Sequence, residues 1–450
     1  MPAHRRAAPP HARAAALRGW SEADAERHLR SLELFGMRFG LDKMRRMMTA
    51  LGAPQRRFDA IHIVGTNGKT STARMLAAIL ERHGLRTATY TSPHLVSYRE
   101  RVQVGERDLQ GSEFAAAVAR AAWAAERVNN TLSAEDHVTQ FELLTAAAFW
   151  AMAGRAVQVG VIEAGLGGRY DATSVVESQV TVLTNVGLEH TRWLGPTITD
   201  IASEKLAVLR PGTTLVHGED LAPAALALAR RVAAERGARM LSAPPARETL
   251  PALRSRGAFQ RRNLALARAA AQVYLQGAGI ELGEQCVREA AASTAIAGRL
   301  QVVAEDPLTV LDGAHNPHAV AALVDSLPEV LGGRPLGLVM GVLEDKDAAA
   351  MLAALLPRCE RAWFTAPPST RALSPAALQS HARQLGFDAV SCTASPAEAL
   401  AAAQRWARER AAGVLASGSV YLVGDLLRQL DVGAGAPTGA ARAGARDGGS

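Results

Sequence analysis

The 450-residue chain has few cysteines and aromatic residues, and it has no long apolar run. Its longest uncharged, largely apolar stretch, residues 143–154, is too short to span a bilayer, so we expect no membrane segment. The three cysteines, Cys286, Cys359 and Cys392, are far apart and form no C-x-x-C pair. Neither a disulfide framework nor structural zinc is therefore expected, and the composition predicts a cytoplasmic protein.

Lysine is also scarce, although the chain is basic. The net charge is +7, yet of 50 basic residues only four are lysine, at positions 43, 69, 205 and 346. The arginines are scattered rather than clustered and only 4% of residues are aromatic, so we expect no nucleic-acid partner. Arginine cannot replace lysine in every chemical role, which makes the four retained lysines candidates for function.

The apolar pattern predicts an α/β protein with two domains. Residues 58–64 and 87–91 read as strands around a glycine turn and a helix over 70–83, which is a βαβ unit with a parallel sheet. More strands are predicted at 157–162 and 180–186, with helices at 114–128 and 141–153. A second set of strands is predicted at 308–311, 336–340, 362–364, 389–392 and 420–423. We therefore divide the chain into a disordered arm (1–20), a larger first domain (21–295), a smaller C-terminal domain (296–430) and a disordered tail (431–450).

A glycine-rich loop joins the first strand to the first helix. It reads Gly65, Thr66, Asn67, Gly68, Lys69, Thr70 and Ser71, and it lacks the first glycine of the usual phosphate-binding motif. Glycines let backbone N–H groups point at phosphate oxygens, and Lys69 would reach the terminal phosphates. The hydroxyl of Thr70 or Ser71 would face Mg²⁺. An ordinary glycine turn is the alternative, but the context of strand and helix predicts binding of ATP with Mg²⁺.

Polar residues follow the second predicted strand. Ser92 and His94, separated by Pro93, would lie at the same carboxyl edge of the sheet as the loop, where ligands bind in open α/β folds. Arg99 would either meet an acidic substrate or merely flank a strand. The turn taken alone also fits a solvated loop.

Three further residues are candidates for a metal site. Glu163 continues the inward row of a buried strand, and a carboxylate there must be paired or bind a metal. His190 follows the next strand at the same edge. Lys205 lies in the apolar stripe of a predicted helix, with Ile198 and Ile201. A satisfied core glutamate, a structural histidine and a snorkelling lysine are the alternatives.

A polar cluster follows the first predicted strand of the second domain. Asp312, His315 and Asn316 lie just after the strand over residues 308–311, with Pro317 opening a helix behind them. An Asn-Pro pair often marks no more than the start of a helix.

Taken together, these stretches resemble the Mur ligase superfamily, and most closely its folylpolyglutamate synthases and bifunctional dihydrofolate synthases. The resemblance runs in matching order from about Arg38 to Leu427. It rests on GTNGKTST, TSPHLVSYRER, EAGLGGRYDAT, GLEHTRWLG, the pair EK at 204–205, FQRRN, GRLQ, DGAHNPHA and SGSVYLVGD. Such enzymes join a P-loop ATPase domain to a smaller Rossmann-like domain, with the active site between them.

The resemblance implies a role for each candidate. Lys69 would bind the β- and γ-phosphates, and Ser92 and Glu163 would hold one Mg²⁺. Glu163 with His190 and a carbamylated Lys205 would hold a second. The remaining implied roles are contacts to ATP by Asn263, Arg299 and Asp312, and contacts to glutamate by His315 and Ser419. Ser92, Pro93, His94 and Arg99 would line the substrate side.

The implied activity is ATP-dependent addition of L-glutamate to a folate or dihydropteroate carboxylate through an acyl phosphate, by a monomer. Two departures stand out: Thr70 replaces a glycine common in these synthases, and Leu206-Ala207 replaces Ala-Gly. Cell-wall Mur ligases also have threonine at the position of Thr70, so an enzyme of that kind is the alternative function within the superfamily. Only about 60 residues precede the loop, which leaves little room for the extra domain of those ligases. An ATP-dependent switch protein is the alternative from another class.

Overall fold

The computed structural model describes residues 19–33, 40–133, 136–245 and 252–434. Most of the predicted arm and tail therefore lies outside the described residues, and residues 431–434 continue the last helix. No helix within the described ranges is both long and apolar enough to cross a bilayer.

The first half of the chain forms an eight-stranded sheet. Its strands are β1 Asp59–Val64, β2 Thr87–Tyr90, β3 Val102–Val104, β4 Arg107–Asp108, β5 Val159–Glu163, β6 Ser178–Leu183, β7 Thr214–His217 and β8 Arg239–Ser242. They lie in the order β4-β3-β2-β5-β1-β6-β7-β8. The strands from β2 to β8 in this order are parallel, whereas β3 and β4 form an antiparallel edge. The carboxyl ends of β1, β2, β5 and β6 consequently meet at one edge.

Helices cover both faces of this sheet. They are α1 Glu22–Arg30, α2 Asp42–Ala50, α3 Lys69–Arg82, α4 Gly111–Asn129, α5 Gln140–Gly154, α6 Thr191–Leu194, α7 Ile198–Leu206, α8 Pro223–Glu235, α9 Ala258–Gly277 and α10 Glu284–Ser293. Alternate residues of β1 serve opposite faces: Ala60 packs with α4 and α5, while Ile61 and Ile63 pack with α3 and α9. A parallel sheet buried on both faces explains why these strands are apolar almost throughout.

The second half forms a six-stranded sheet. Its strands are β9 Gln301–Glu305, β10 Leu308–Leu311, β11 Leu336–Met340, β12 Arg361–Phe364, β13 Val390–Cys392 and β14 Gly413–Ser417, in the order β13-β12-β11-β14-β10-β9. All are parallel except β9. Its helices are α11 Pro317–Leu331, α12 Ala348–Leu355, α13 Pro375–Gln384, α14 Pro396–Arg410 and α15 Val420–Ala434. The fold is thus α/β with two mainly parallel sheets, as predicted.

One predicted strand is wrong. Residues 420–423 form the first turn of α15, and the strand of this region is β14, just before them. Gly418, at φ +103°, turns the chain between the two elements. The run Val-Tyr-Leu-Val is rich in β-formers, but Leu422, Val423 and Leu426 form one buried side of a helix.

A glycine in α15 allows the two halves of the chain to approach closely. A Cβ at Gly424 would lie 2.0 Å from the carbonyl oxygen of Leu95, in the loop after β2. We expect Gly424→Ala to destabilise the protein by about 1–3 kcal/mol, which lowers Tm by about 1–3 °C in calorimetry. Gly277→Ala is the control, because nothing lies within 4 Å of its Cβ position. Equal melting of the two variants would show that the approach to Leu95 is not constrained.

Candidate active site

The carboxyl edges of the two sheets face a shared cavity. Sixteen of the residues predicted from the sequence line it: Gly65, Thr66, Asn67, Gly68, Lys69, Thr70, Ser71, Ser92, Pro93, Glu163, His190, Lys205, Asn263, Arg299, Asp312 and His315. Strand ends, loops and helices of both halves supply them, so the site exists only when both halves are in place. Their individual roles stay predictions.

The glycine loop is held tightly between its neighbours. A Cβ at Gly65 would lie 1.9 Å from Thr184 Oγ1, and one at Gly68 would lie 2.4 Å from Asn263 Oδ1. The Thr184 hydroxyl donates to the Asn67 carbonyl oxygen at 2.7 Å. Helix α3 begins at once at Lys69, and no side chain caps it. Its first N–H groups therefore point toward the cavity without a side-chain partner, an arrangement that suits an anion.

Lys69 folds back over this loop. Its Nζ donates to the carbonyl oxygens of Gly65 and Thr66, both at 3.1 Å. The ammonium is thereby fixed beside the N-terminus of α3, where a phosphate group would also lie.

Glu163 ends β5 as a fully enclosed carboxylate. Its Oε2 accepts hydrogen bonds from the Thr70 hydroxyl at 2.8 Å and from the Ser92 backbone N–H at 3.2 Å. Burial raises the pKa of Glu163, while the charge of Lys69 and these two hydrogen bonds oppose the rise. The predicted pair Glu163 and Ser92 is therefore in direct contact, through the backbone of Ser92.

Lys205 is 4% exposed and lies on the inward face of α7, as the stripe with Ile201 predicted. Its Nζ donates to the Gly65 carbonyl oxygen at 2.8 Å. Burial, helped by the charge of Lys69, lowers the pKa of Lys205 to about 7. The amine is therefore partly uncharged near neutral pH, and the snorkelling alternative is wrong.

His190 directly precedes the short helix α6 and has a left-handed conformation, at φ 53°. Burial and the charge of Lys346 lower the pKa of the ring to about 4, against the opposing effect of Glu189. A neutral imidazole is the form that binds metals.

Two more buried groups, Asp312 from the second half and Asn263 from α9 of the first, shape the cavity wall. Both Asp312 oxygens accept backbone hydrogen bonds, from Leu300 and Ala314, each at 2.8 Å. Burial raises the pKa of Asp312 and the charge of Arg299 opposes this. The Asn263 amide donates to Gln260 at 3.0 Å.

His315 meets an acid that the sequence did not indicate. Its Nε2 lies 3.3 Å from Glu189 Oε1, and the same oxygen lies 3.2 Å from Lys346 Nζ. Burial pushes the pKa of Glu189 upward, but the hydrogen bond and charge of His315, with the charge of Lys346, outweigh it and hold that pKa well below its usual range. Glu189 directly precedes His190, the predicted metal ligand, in a loop. A loop has no apolar periodicity from which its role could be predicted.

A second contact missed by the sequence joins the two halves. The amides of Asn67 and Asn316 exchange hydrogen bonds at 3.0 and 3.3 Å, and Asn67 Nδ2 also lies 3.1 Å from His318 Nδ1. The tip of the phosphate loop is therefore tied to the start of α11.

Three predicted substrate residues do not line the cavity. His94 accepts a hydrogen bond from Arg101 at 3.0 Å, and Arg99 pairs with Glu22 at 2.9 Å. Ser419 is buried and accepts a bond from the Tyr421 N–H. Their proposed contacts with substrate stay predictions.

Family models match both halves of the chain. The Mur ligase middle domain matches residues 63–214, and the glutamate ligase domain of Mur ligases matches residues 298–420. These matches, with the two sheets and the shared cavity, place the chain in the class of Mur-type ligases.

Comparison with similar proteins identifies the family within the Mur-type ligases. Folylpolyglutamate synthase of Lacticaseibacillus casei is 35% identical over 74% of this chain and 83% of its own length. Dihydrofolate synthase/folylpolyglutamate synthase of Escherichia coli is 34% identical over 79% and 82%. The chain therefore belongs to the folylpolyglutamate synthase/dihydrofolate synthase family.

Solved structures agree in fold. Mycobacterium tuberculosis folylpolyglutamate synthase complexed with ADP superposes with a TM-score of 0.85 at 29% identity, covering 93% of this chain and 99% of that one. E. coli FolC in complex with DHPP and ADP gives 0.80 at 29% identity, covering 92% and 99%.

Proposed function

We propose that this chain is an ATP-dependent ligase that joins L-glutamate to the carboxylate of a folate or of dihydropteroate. The main support for this function is the shared cavity. The phosphate loop, followed by a helix without a side-chain cap, lines it together with Glu163 and Lys205 of the first half. The second half contributes Asp312 and His315. The family relatives named for this activity, and the ADP and DHPP bound to E. coli FolC, support it.

The residues around Glu163 fit Mg²⁺. A buried carboxylate beside the Thr70 hydroxyl offers the oxygen ligands that Mg²⁺ prefers. Within the described ranges, no cluster of three or more His, Cys, Asp or Glu forms a ready metal site, so carboxylates alone would not complete the coordination. We propose Thr70, Ser92 and Glu163 for one ion, and Glu163, His190 and a carbamylated Lys205 for another. The bound metal would screen the phosphates.

The carboxylate must be activated before it can form an amide, because oxide is a poor leaving group. The substrate carboxylate oxygen attacks the γ-phosphorus of ATP, which gives an acyl phosphate and ADP. Lys69 and the N-terminus of α3 stabilise the charge that develops on the phosphoryl oxygens. Asn263, Arg299 and Asp312 are proposed to hold the rest of the nucleotide.

The amine of glutamate then attacks the acyl carbon, and phosphate leaves. The amine must lose a proton, and His315 is our candidate base. In this structure its Nδ1 lies 2.9 Å from the Gly313 carbonyl oxygen, and Nε2 faces Glu189. Because both nitrogens face oxygens, His315 accepts a proton only if one contact opens. Closure of the two halves would exclude water from the acyl phosphate.

One assay separates this function from its alternatives. The protein is incubated with ATP, glutamate and either dihydropteroate or a reduced folate, and products are followed by mass spectrometry. A new amide with one ADP per bond is expected, and omission of the pterin substrate should stop it. ATP turnover without an amide would favour the switch protein. In a parallel reaction, an amide formed on a UDP-linked peptide precursor and not on a pterin would favour a cell-wall ligase.

We also propose a cytoplasmic monomer that binds no nucleic acid, with a domain division at residues 295–296. The three cysteines are free thiols. Light scattering at assay concentration tests the monomer, and a dimer mass would overturn it.

A further inference from the structure

Glu189, His315 and Lys346 form a bridge between the two sheets on one wall of the cavity. Glu189 lies in the loop after β6, whereas His315 and Lys346 lie in the loops after β10 and β11. The His315 and Lys346 nitrogens are 3.3 and 3.2 Å from the same oxygen, Glu189 Oε1. One carboxylate oxygen of the first half therefore contacts two side chains of the second half.

The bridge is shielded from water. The side chains of Glu189 and Lys346 are each only 10% exposed. Solvent screens a pair at this depth less than a pair on the surface, so the attraction between the carboxylate and the ammonium is stronger here than between exposed groups. Among the described residues, Lys346 has one other acidic neighbour within 4 Å, Asp345 at 3.5 Å, which is exposed to solvent.

Only part of the bridge reaches the cavity. Glu189 and His315 line it, whereas Lys346 lies behind them and does not. The His315 ring is held from both sides, by the Gly313 carbonyl oxygen and by Glu189 Oε1. Lys346 thus contacts the cavity wall through Glu189, and Glu189 fixes the direction in which His315 points.

We propose that Glu189 and Lys346 are positioning residues, which set the His315 ring and the second domain against the ATP domain for the amide-forming step. This inference rests on the proposed function. A displacement of about 1 Å at a reacting group lowers a rate by up to about 100-fold, which is the scale of effect expected.

The test compares four variants in the full-length protein: Lys346→Met, Glu189→Gln, the double variant, and the control Arg261→Gln. Arg261 also forms an ion pair between the halves, with Glu329 at 3.0 Å, but it is about 40% exposed and does not line the cavity. The control therefore separates positioning within the cavity from simple joining of the domains.

We expect Lys346→Met and Glu189→Gln each to lower kcat for amide formation roughly 10- to 100-fold, with the dissociation constant of ADP changed less than about 2-fold. The double variant should be no slower than the slower single variant, because both residues act through one oxygen. Arg261→Gln should stay within about 2-fold of the wild type.

Three results would overturn the inference. Lys346→Met could keep kcat within 2-fold of wild type, or the double variant could lose as much kcat as the two single losses combined. The control Arg261→Gln could also lose as much kcat as the bridge variants. Glu189→Gln preserves side-chain shape and tests the bridge even if Lys346→Met does not fold. If the wild type forms no amide, the proposed function has failed. The bridge is then tested by Tm, where non-additive shifts support it and additive shifts refute it.

Discussion

Replacement of Lys69 by alanine is expected to lower the rate of amide formation by at least about 100-fold while the protein stays folded. The ammonium lies at the N-terminus of α3, and its charge is needed most when negative charge spreads over the transferred phosphoryl group. Its two present partners are the backbone oxygens of Gly65 and Thr66, at 3.1 Å. Neither partner is an acid, although the buried Glu163 would lose one of the charges that oppose the rise of its pKa.

The loss should therefore appear in catalysis more than in stability. Each hydrogen bond from Lys69 to the loop contributes about 1 kcal/mol, so Tm should fall by only a few degrees. Single-turnover kinetics with saturating ATP, together with calorimetric binding of ADP, distinguish a slow transfer step from weak binding. Near-normal turnover by a folded alanine variant would remove Lys69 from the mechanism.

Lys69→Arg is the informative comparison. It retains the positive charge, but the planar guanidinium is larger than an ammonium and cannot adopt the same two contacts to Gly65 and Thr66. We expect a loss intermediate between wild type and alanine. A loss equal to that of alanine would show that geometry matters more than charge at this position.

Local patterns predicted the elements that carry most of the cavity. The sequence around β1, the glycine loop and α3 is a continuous signal within some 30 residues, and its structure follows directly. Glu163 was predicted from alternation along β5, and Lys205 from the spacing of α7. Both predictions depend only on the period of one element and on the apolar residues beside it.

Contacts between distant segments could not be predicted in this way. Asn67 and Asn316 are 249 residues apart, and Glu189 and Lys346 are 157 apart. Each contact depends on how the two sheets are placed, which no local pattern encodes. Local patterns also fail for short apolar runs. Residues 420–423 were predicted as a strand but form a helix turn, because such a run fits a strand and a buried helix turn equally well.

Lys205→Arg is expected to be as inactive as Lys205→Ala. Lys205 is 4% exposed and its pKa is lowered to about 7, so a substantial share of the amine is uncharged at neutral pH. An uncharged amine adds to the carbon of CO₂ and releases a proton, which gives a carbamate. The change turns a cation into an anionic oxygen ligand of the kind that Mg²⁺ prefers. Arginine stays protonated and cannot follow this route, which explains a retained lysine in an arginine-rich chain.

The carbamate can be observed apart from activity. Carbon-13 NMR of protein equilibrated with labelled bicarbonate should show a carbamate signal that is absent from both Lys205 variants. The signal should weaken as the pH falls below about 7, because protonation removes the nucleophilic amine. A wild-type protein without this signal under conditions that support turnover would contradict the carbamate.

Two further experiments test the carbamate: chemical rescue by small carboxylic acids, and a control substitution at a second buried lysine. Acetate or formate should partly restore Lys205→Ala by supplying a carboxylate in the vacated space, and should not restore Lys205→Arg, whose side chain fills it. Lys43→Arg is the matched control, because Lys43 is 6% exposed, pairs with Asp136 at 2.9 Å and lies away from the cavity. Arginine keeps the positive charge that Asp136 pairs with, and Lys43 is remote from the cavity, so the folded variant should keep activity within about 3-fold. Substantial turnover by Lys205→Arg would refute the carbamate, because a permanent cation would then serve in its place.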